Sequence, residues 1–265
     1  MKKPIIIIGI GELGGEFARG FLRCGYPVIP VTRQTNVETL SQEVADPALV
    51  LIAVQEQELH HVLEKLPTVW HDKIALIQNE LLPRDWRQFN IPDPTVAVVW
   101  FEKKPNIALT NILYTPVFGP KADILIEALN AISIPTKKLH NNDELLYELL
   151  RKALYILTVN ICGLIENCSV GELWEKHRPL AIAVAKEAVQ ILAWLSETTL
   201  DEQKLIDGMA EGIADCPNRK CLGRRAQSRL ERALAYAEQA GIETPTLSEI
   251  YKNLTDSESS FAINN

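Results

Sequence analysis

Ile5 to Ile8 form an unbroken β-branched run with no polar residue among them, followed at once by a glycine. Such a run reads as a strand covered on both faces, the pattern of a parallel sheet. A turn of the form GIGELG, a helix and a second strand ending at Thr32-Arg33-Gln34 follow. LVLIAV then predicts another central strand and QELHHVLEKL its helix, and KIALIQNELLP gives a strand ending at Gln78-Asn79. TVAVVWFEKKP gives one more, ending near Trp100-Phe101, and ILYTPVFGPKADILIEALNAISIPTKKL reads as a strand-helix-strand addition that completes the sheet. Strands alternating with helical connections predict a doubly wound, mainly parallel sheet.

From Asn142 onward the period changes. ELLYELLRKALYILTVNICGLIENC, RPLAIAVAKEAVQILAWLSE and QSRLERALAYAEQAGI are long apolar-patterned runs, the last ending at Gly241, with no strand pattern between them. The expected fold class is α/β over residues 1–142, with an all-helical C-terminal domain over 143–265.

The turn after the first strand carries the first chemistry. Gly9 permits a tight turn, Gly11 keeps side chains away from a pyrophosphate, and Gly14 lets the next helix pack close to the sheet. Glu12 and Leu13 fill the remaining places of the motif. The unpaired N–H groups and positive dipole end of the helix then face the phosphates. This is a dinucleotide-binding fingerprint, and it makes residues 1–142 an expected NAD(P)-binding Rossmann domain. An NAD site usually has an acidic residue at the end of the second strand, to accept from the ribose 2′-OH. Thr32, Arg33 and Gln34 stand there instead, a hydroxyl, a guanidinium fork and an amide suited to a 2′-phosphate. The expected cofactor is NADP (NADPH); the plain alternative is that Arg33 is a solvated loop cation. Ligands of such sheets lie beyond the strand C-termini, so Gln55, Asn79 and Trp100 are expected to border one cleft, with Val54 and Gln55 at the cofactor.

Composition narrows the partners. A net charge of −7 argues against general nucleic-acid affinity. No apolar run reaches the roughly 18 residues of a membrane span, and the start has no signal-type cleavage region. The expectation is a cytoplasmic protein without membrane or nucleic-acid partners. The five cysteines, Cys24, Cys162, Cys168, Cys216 and Cys221, lack metal-ligand spacing and read as reduced thiols, with a Cys216–Cys221 bridge as the other reading. No metal is expected.

The run from Lys152 through Asn160 to Leu173, ending SVGEL, is similar to the signature helix and turn of ketopantoate reductases. There a lysine is followed on one helix by two asparagines at four-residue intervals, then by a PNGEL-like turn. The opening GIGELG, the strand-end Asn79 and GIETP at 241–245 extend the resemblance over most of the chain. It implies a Rossmann domain, a helical domain with the active site between them, and reduction of a 2-oxo acid by NADPH. Lys152 then fits a general acid, stabilising and protonating the oxygen on which charge develops as hydride arrives at carbon. Asn160, about 12 Å further along the helix and rotated by about 80°, could orient substrate or Lys152. Asn79 would hold the lysine or the cofactor amide. Glu172 is expected to cap or fix the turn. The plain readings are a solvated lysine and an asparagine that satisfies backbone.

Three departures stand out. Ile156 replaces the middle asparagine, Gln55 replaces a lysine after the third strand, and Arg225 falls where the family has a glutamate that holds substrate. Arg219, Lys220, Arg224, Arg225 and Arg229 make a basic cluster, read either as a solvated loop and helix start or as a pocket for a carboxylate or phosphate. The leading expectation is an NADPH-dependent reductase of a small anionic 2-oxo or imino compound other than ketopantoate, with Arg225 at the substrate and a homodimer as the oligomer to look for. The competing one is a non-catalytic NADP(H)-binding sensor or partner protein. A pyrroline-carboxylate reductase-like enzyme ranks below both, for want of that family's glycine- and serine-rich helical signature.

Overall fold

The computed structural model describes residues 2–263. The chain divides into two compact units, Met1–Leu149 and Leu150–Asn265. In the first, strands β1 (Ile5–Ile8), β2 (Val28–Val31), β3 (Leu49–Ile52), β4 (Ile74–Leu76) and β5 (Thr95–Ala97) alternate with helices α1 (Glu12–Arg23), α2 (Val37–Glu43), α3 (Leu59–Glu64) and α4 (Arg84–Arg87). A small hairpin, β6 (Phe101–Glu102) and β7 (Thr110–Asn111), precedes β8 (Thr115–Phe118), α5 (Ala122–Asn130) and β9 (Thr136–Lys138).

The main sheet has seven strands in the order β2-β1-β3-β4-β5-β8-β9. Ile5 to Ile8 are flanked by Val28 to Val31 on one side and Leu49 to Ile52 on the other, all parallel. The chain thus leaves β1 toward one edge and returns to its other side. That reversal is a topological switch point, beyond whose strand ends ligands of such sheets bind. Phe17 and Phe21 of α1 pack on the sheet, and Gly20 lies so close to α5 that a Cβ there would sit 2.4 Å from the Ala128 carbonyl oxygen.

The sheet departs from an all-parallel pattern at one place. β8 runs antiparallel to β5, with Val96 opposite Phe118 and Ala97 opposite Val117. A parallel neighbour needs a crossover, usually a helix. After β5 the chain instead makes the β6–β7 hairpin and comes back in the opposite direction, and TVAVVWFEKKP is accordingly two short strands rather than one.

The boundary between the units falls inside helix α6 (Asn142–Cys162). The second unit continues with α7 (Val170–Lys176), α8 (Arg178–Ser196), α9 (Glu202–Asp215), α10 (Ala226–Ala240) and α11 (Pro245–Ile263). Among the described residues its one isolated β-bridge joins Ser169 and Lys220. α7 starts on a capping box: the Ser169 hydroxyl accepts from the Glu172 N–H at 3.3 Å, and the Glu172 carboxylate accepts from the Ser169 N–H at 3.0 Å. That backbone donor, helped by Lys176, holds the Glu172 carboxyl down at about 2. α10 ends at Gly241 in the left-handed region, φ +66°.

α8 has the length and composition to cross a membrane, with a mean hydropathy of 1.3 over its most apolar window. The reading that no such stretch exists is corrected here: the run is interrupted by Lys186 and Glu187, but alanines and β-branched residues around them keep it apolar. Half of that window is buried inside the protein, as in a core helix. Glu187, 8% exposed, accepts from the Thr246 and Leu247 N–H groups at 2.8 and 2.9 Å. It thereby satisfies two of the free donors that open α11. Glu187→Ala leaves both donors without their acceptor. An equilibrium urea titration should show a loss of about 1–3 kcal/mol; an unchanged midpoint and slope would show that the tertiary cap carries no stability.

Candidate functional site

In the first unit the glycine turn is built by close backbone approach. Gly9 has φ +98°, and a Cβ on it would lie 2.9 Å from the Ala53 carbonyl oxygen and 3.1 Å from a Val54 methyl. Gly14 is tighter: its Cβ would be 2.1 Å from the Gly9 carbonyl oxygen, so α1 can reach the end of β1 only without a side chain there. Gly11 is different. A Cβ on it would meet nothing within 4 Å, so its constraint does not come from the protein's own packing. Gly11 and Glu12 are exposed at the start of α1, whereas Leu13 packs against the sheet core. Gly11 caps the helix with no side-chain bond, which leaves that end open to an anion.

Val54 and Gln55 follow β3 directly beside this turn, Val54 half-buried and Gln55 exposed. Gln78, which the sequence reading passed over in favour of Asn79, fastens the region. Its amide donates to the Ile52 and Val54 carbonyls at 2.8 and 3.1 Å, and its own carbonyl accepts from the Ile77 N–H at 3.0 Å. Asn79 is next in the chain, half-buried, and Glu80 after it has φ +56°, a conformation uncommon for a residue with a side chain. The turn that follows Asn79 therefore carries some local backbone strain at Glu80. Trp100 is only 1% exposed and does not border an open cleft as expected; its indole belongs to the core.

At the end of β2, Thr32, Arg33 and Gln34 are all exposed. The Thr32 N–H donates to the Thr35 hydroxyl at 3.0 Å, and the Gln34 N–H to the Thr32 hydroxyl at 3.4 Å. This turn fixes the backbone while leaving the Arg33 side chain on the surface. Lys103, in the β6–β7 loop, was not anticipated. Its ammonium donates to the Lys104 and Ile107 carbonyls and lies 3.6 Å from Glu12, bringing a cation to the mouth of the glycine turn.

In the second unit every residue of α6 from Arg151 to Cys162 is buried. Lys152 is 6% exposed, Asn160 4% and Ile156 9%. Arg151 donates to the Gly208 carbonyl at 2.7 Å and pairs with Glu211 at 2.7 Å, fixing the rotation of α6 against α9. Asn160 is held by its own unit: its side-chain oxygen accepts from Arg229 at 3.2 Å, and Gly223 is so close that a Cβ there would overlap that oxygen at 2.0 Å.

The basic cluster resolves into separate roles rather than one solvated face. Arg219 donates to the Tyr155 hydroxyl at 3.3 Å, and burial pushes that phenol's pKa up despite the guanidinium beside it. Arg229 is 7% exposed on Asn160, while Lys220 and Arg224 are exposed. Arg225 precedes α10, and one of its terminal guanidinium nitrogens is buried without a hydrogen-bond partner.

No family model matches the chain, and no curated protein sequence does. Solved structures do. The chain is similar to 2-dehydropantoate 2-reductase from Methylococcus capsulatus, with a TM-score of 0.67 over 97% of each chain at 14% identity. It has the ketopantoate reductase fold. A ketopantoate reductase from Ralstonia eutropha JMP134 gives 0.68 over 98% of this chain and 99% of that one at 14% identity. D-mandelate dehydrogenase in complex with NADH gives 0.63, with the same coverage and identity. At these identities the shared property is the ketopantoate reductase fold itself. Within it, the packing predicts opposite responses at two glycines. Gly14→Ala should lose about 1–3 kcal/mol or more in thermal or urea unfolding, whereas Gly11→Ala should unfold like the parent; equal stability of the two variants would contradict this geometry.

Proposed function

We propose that this chain is an NADPH-dependent oxidoreductase that reduces a small anionic 2-oxo or imino compound. The observation that carries the reading is Lys152, a lysine only 6% exposed in the middle of α6 in a chain with the ketopantoate reductase fold. Lysines are rarely buried without a paired or functional role. The unobstructed surface at Gly11, the free start of α1 and the exposed Thr32-Arg33-Gln34 turn suit a dinucleotide with a 2′-phosphate. Gly9, Gly11, Glu12, Leu13 and Gly14 would hold its pyrophosphate end, with Val54 and Gln55 along its path. When bound, the cofactor supplies hydride to the substrate carbon.

The residues of the chain do the rest. Lys152 holds the substrate oxygen by its ammonium and gives up a proton as negative charge develops there. Asn79 orients the reacting groups through its amide. Arg225 offers its buried, unpartnered nitrogen to the anionic group of the substrate, and Asn160 acts as a positioning residue for Arg229. Ile156 has no hydrogen bond to offer where ketopantoate reductases carry an asparagine, so the polar end of the substrate differs from ketopantoate. The expected setting is the cytoplasm. A homodimer is the oligomer to test, since a neighbour of this fold from Staphylococcus aureus is described as dimeric. One observation favours the second reading, a non-catalytic NADP(H) sensor: Ile156 stands where the family's middle asparagine would be, and the Asn160 side-chain oxygen accepts from Arg229.

A screen of 2-oxo acids and imines by NADPH absorbance, with ketopantoate as an expected non-substrate, tests the activity. On the substrate found, Lys152→Ala should lower turnover by about 10²–10⁴-fold with NADPH affinity retained. Undiminished turnover removes the general-acid assignment, and tight NADPH binding without turnover of any substrate leaves the sensor. Separately, Arg33→Asp should weaken NADPH relative to NADH by about tenfold to a hundredfold in fluorescence titrations, from loss of charge-assisted hydrogen bonds to the 2′-phosphate. An unchanged preference would refute the NADP assignment.

A further inference from the structure

Residues 216–223 form a strap over the end of α6 and the start of α7. Val170 donates to the Arg219 carbonyl at 2.8 Å, Gly171 to the Pro217 carbonyl at 2.9 Å, and Cys221 to the Cys168 carbonyl at 3.2 Å. With Ser169 bridged to Lys220, this register sets Cys168 directly opposite Cys221. Side chains would block so close an approach. A Cβ on Gly163 would lie 2.5 Å from the Leu222 nitrogen, and one on Gly171 would lie 2.8 Å from the Pro217 side chain.

Directly opposed residues of an antiparallel pair have Cα atoms about 4.5–5.5 Å apart. A disulfide spans about 4.4–6.8 Å between Cα atoms. The Cys168 and Cys221 sulfurs are 3.9 Å apart as free thiols. Side-chain rotation, without movement of the paired backbone, can therefore bring them to bonding distance. All five cysteines are free thiols, as read from the sequence, and the sulfur that faces Cys221 is that of Cys168.

We propose that Cys168 and Cys221 are an oxidisable dithiol whose disulfide fastens the 216–223 strap to the turn that follows α6. Cys168 is half-exposed and Cys221 is buried, so Cys168 meets an oxidant first. Its thiolate attacks one sulfur of a small-molecule disulfide such as oxidised glutathione, releasing one glutathione thiolate and forming a mixed disulfide. Cys221 then loses its proton and attacks the Cys168 sulfur, expelling the second glutathione thiolate. Two protein thiols are oxidised, one glutathione disulfide is reduced to two thiols, and the two protons end on glutathione. Burial holds Cys221 as a thiol, and holds the neighbouring Cys162 as one up to about 12, so neither competes for the oxidant in solvent. The strap carries Arg219 onto Tyr155 and Gly223 onto Asn160, and leads directly into Arg225. The disulfide thus fixes the backbone that presents the arginines, and the inference holds whatever the chain's activity.

The test uses the full chain treated with excess oxidised glutathione, alkylated with iodoacetamide, digested and mapped by mass spectrometry without reduction. A peptide pair joining Cys168 to Cys221 is expected, lighter by two hydrogens and separated again by dithiothreitol. Cys168→Ser and Cys221→Ser should each remove it, and Cys24→Ser should not. Amides of 216–223 should exchange with deuterium more slowly in the oxidised protein than in the reduced one. Recovery of both cysteines alkylated, arrest at a glutathione adduct on Cys168, a bridge from Cys221 to Cys162 or Cys216, or unchanged exchange would overturn the proposal.

Discussion

Burial on every side of α6 from Arg151 to Cys162 is the constraint around which the helical unit is organised. A polar side chain in such a stretch cannot turn to water and is favoured by a partner in the fold, although the buried Thr158 hydroxyl has none. Arg151 finds it on α9, and Tyr155 and Asn160 find theirs in Arg219 and Arg229. These bonds dictate which helix lies against which face of α6. They also decide where the strap between α9 and α10 must run, and glycines stand wherever its backbone comes too close for a side chain.

The sheet unit obeys a related rule with backbone in place of side chains. The glycine turn is narrow because α1 must come within contact of the β1 carbonyl at Gly9, and Gly14 alone allows it. Gln78 then joins the ends of β3 and β4 by two hydrogen bonds, its own carbonyl accepting from the Ile77 N–H, at a point where the ladder itself has stopped. An amide is suited to this task because it donates and accepts at once. The result is a rigid edge beneath an exposed helix start, which is what recognition of a phosphate by backbone N–H groups demands.

Local pattern made the parallel core of the sheet, the helical second half and the glycine turn readable in the sequence, and the resemblance to ketopantoate reductases added the Glu172 cap. Each depends on neighbours within a few positions. The direction of β8 was not readable, because it depends on where the chain goes after β5 rather than on the residues of β8. α9 was missed because Gly208 and Gly212 weaken a helical pattern; both are buried, and the Gly208 carbonyl accepts from Arg151. The Asn160–Arg229 pair joins positions 69 apart, a separation at which sequence offers no geometric signal. The unassigned guanidinium nitrogen of Arg225 is likewise a property of the folded surroundings, although its departure from the family pattern marked the position.

The cap that Glu187 places on α11 also bears on how the helical unit closes. Glu187 lies in one of the most apolar helices of the chain, and its acceptors are filled by backbone nearly 60 residues later. Until α11 docks, that carboxylate sits on an apolar helix without the two backbone donors that hold it in the folded unit. The helical unit can therefore close only once the chain through Leu247 is in place, so burial of α8 is a long-range event rather than a local one.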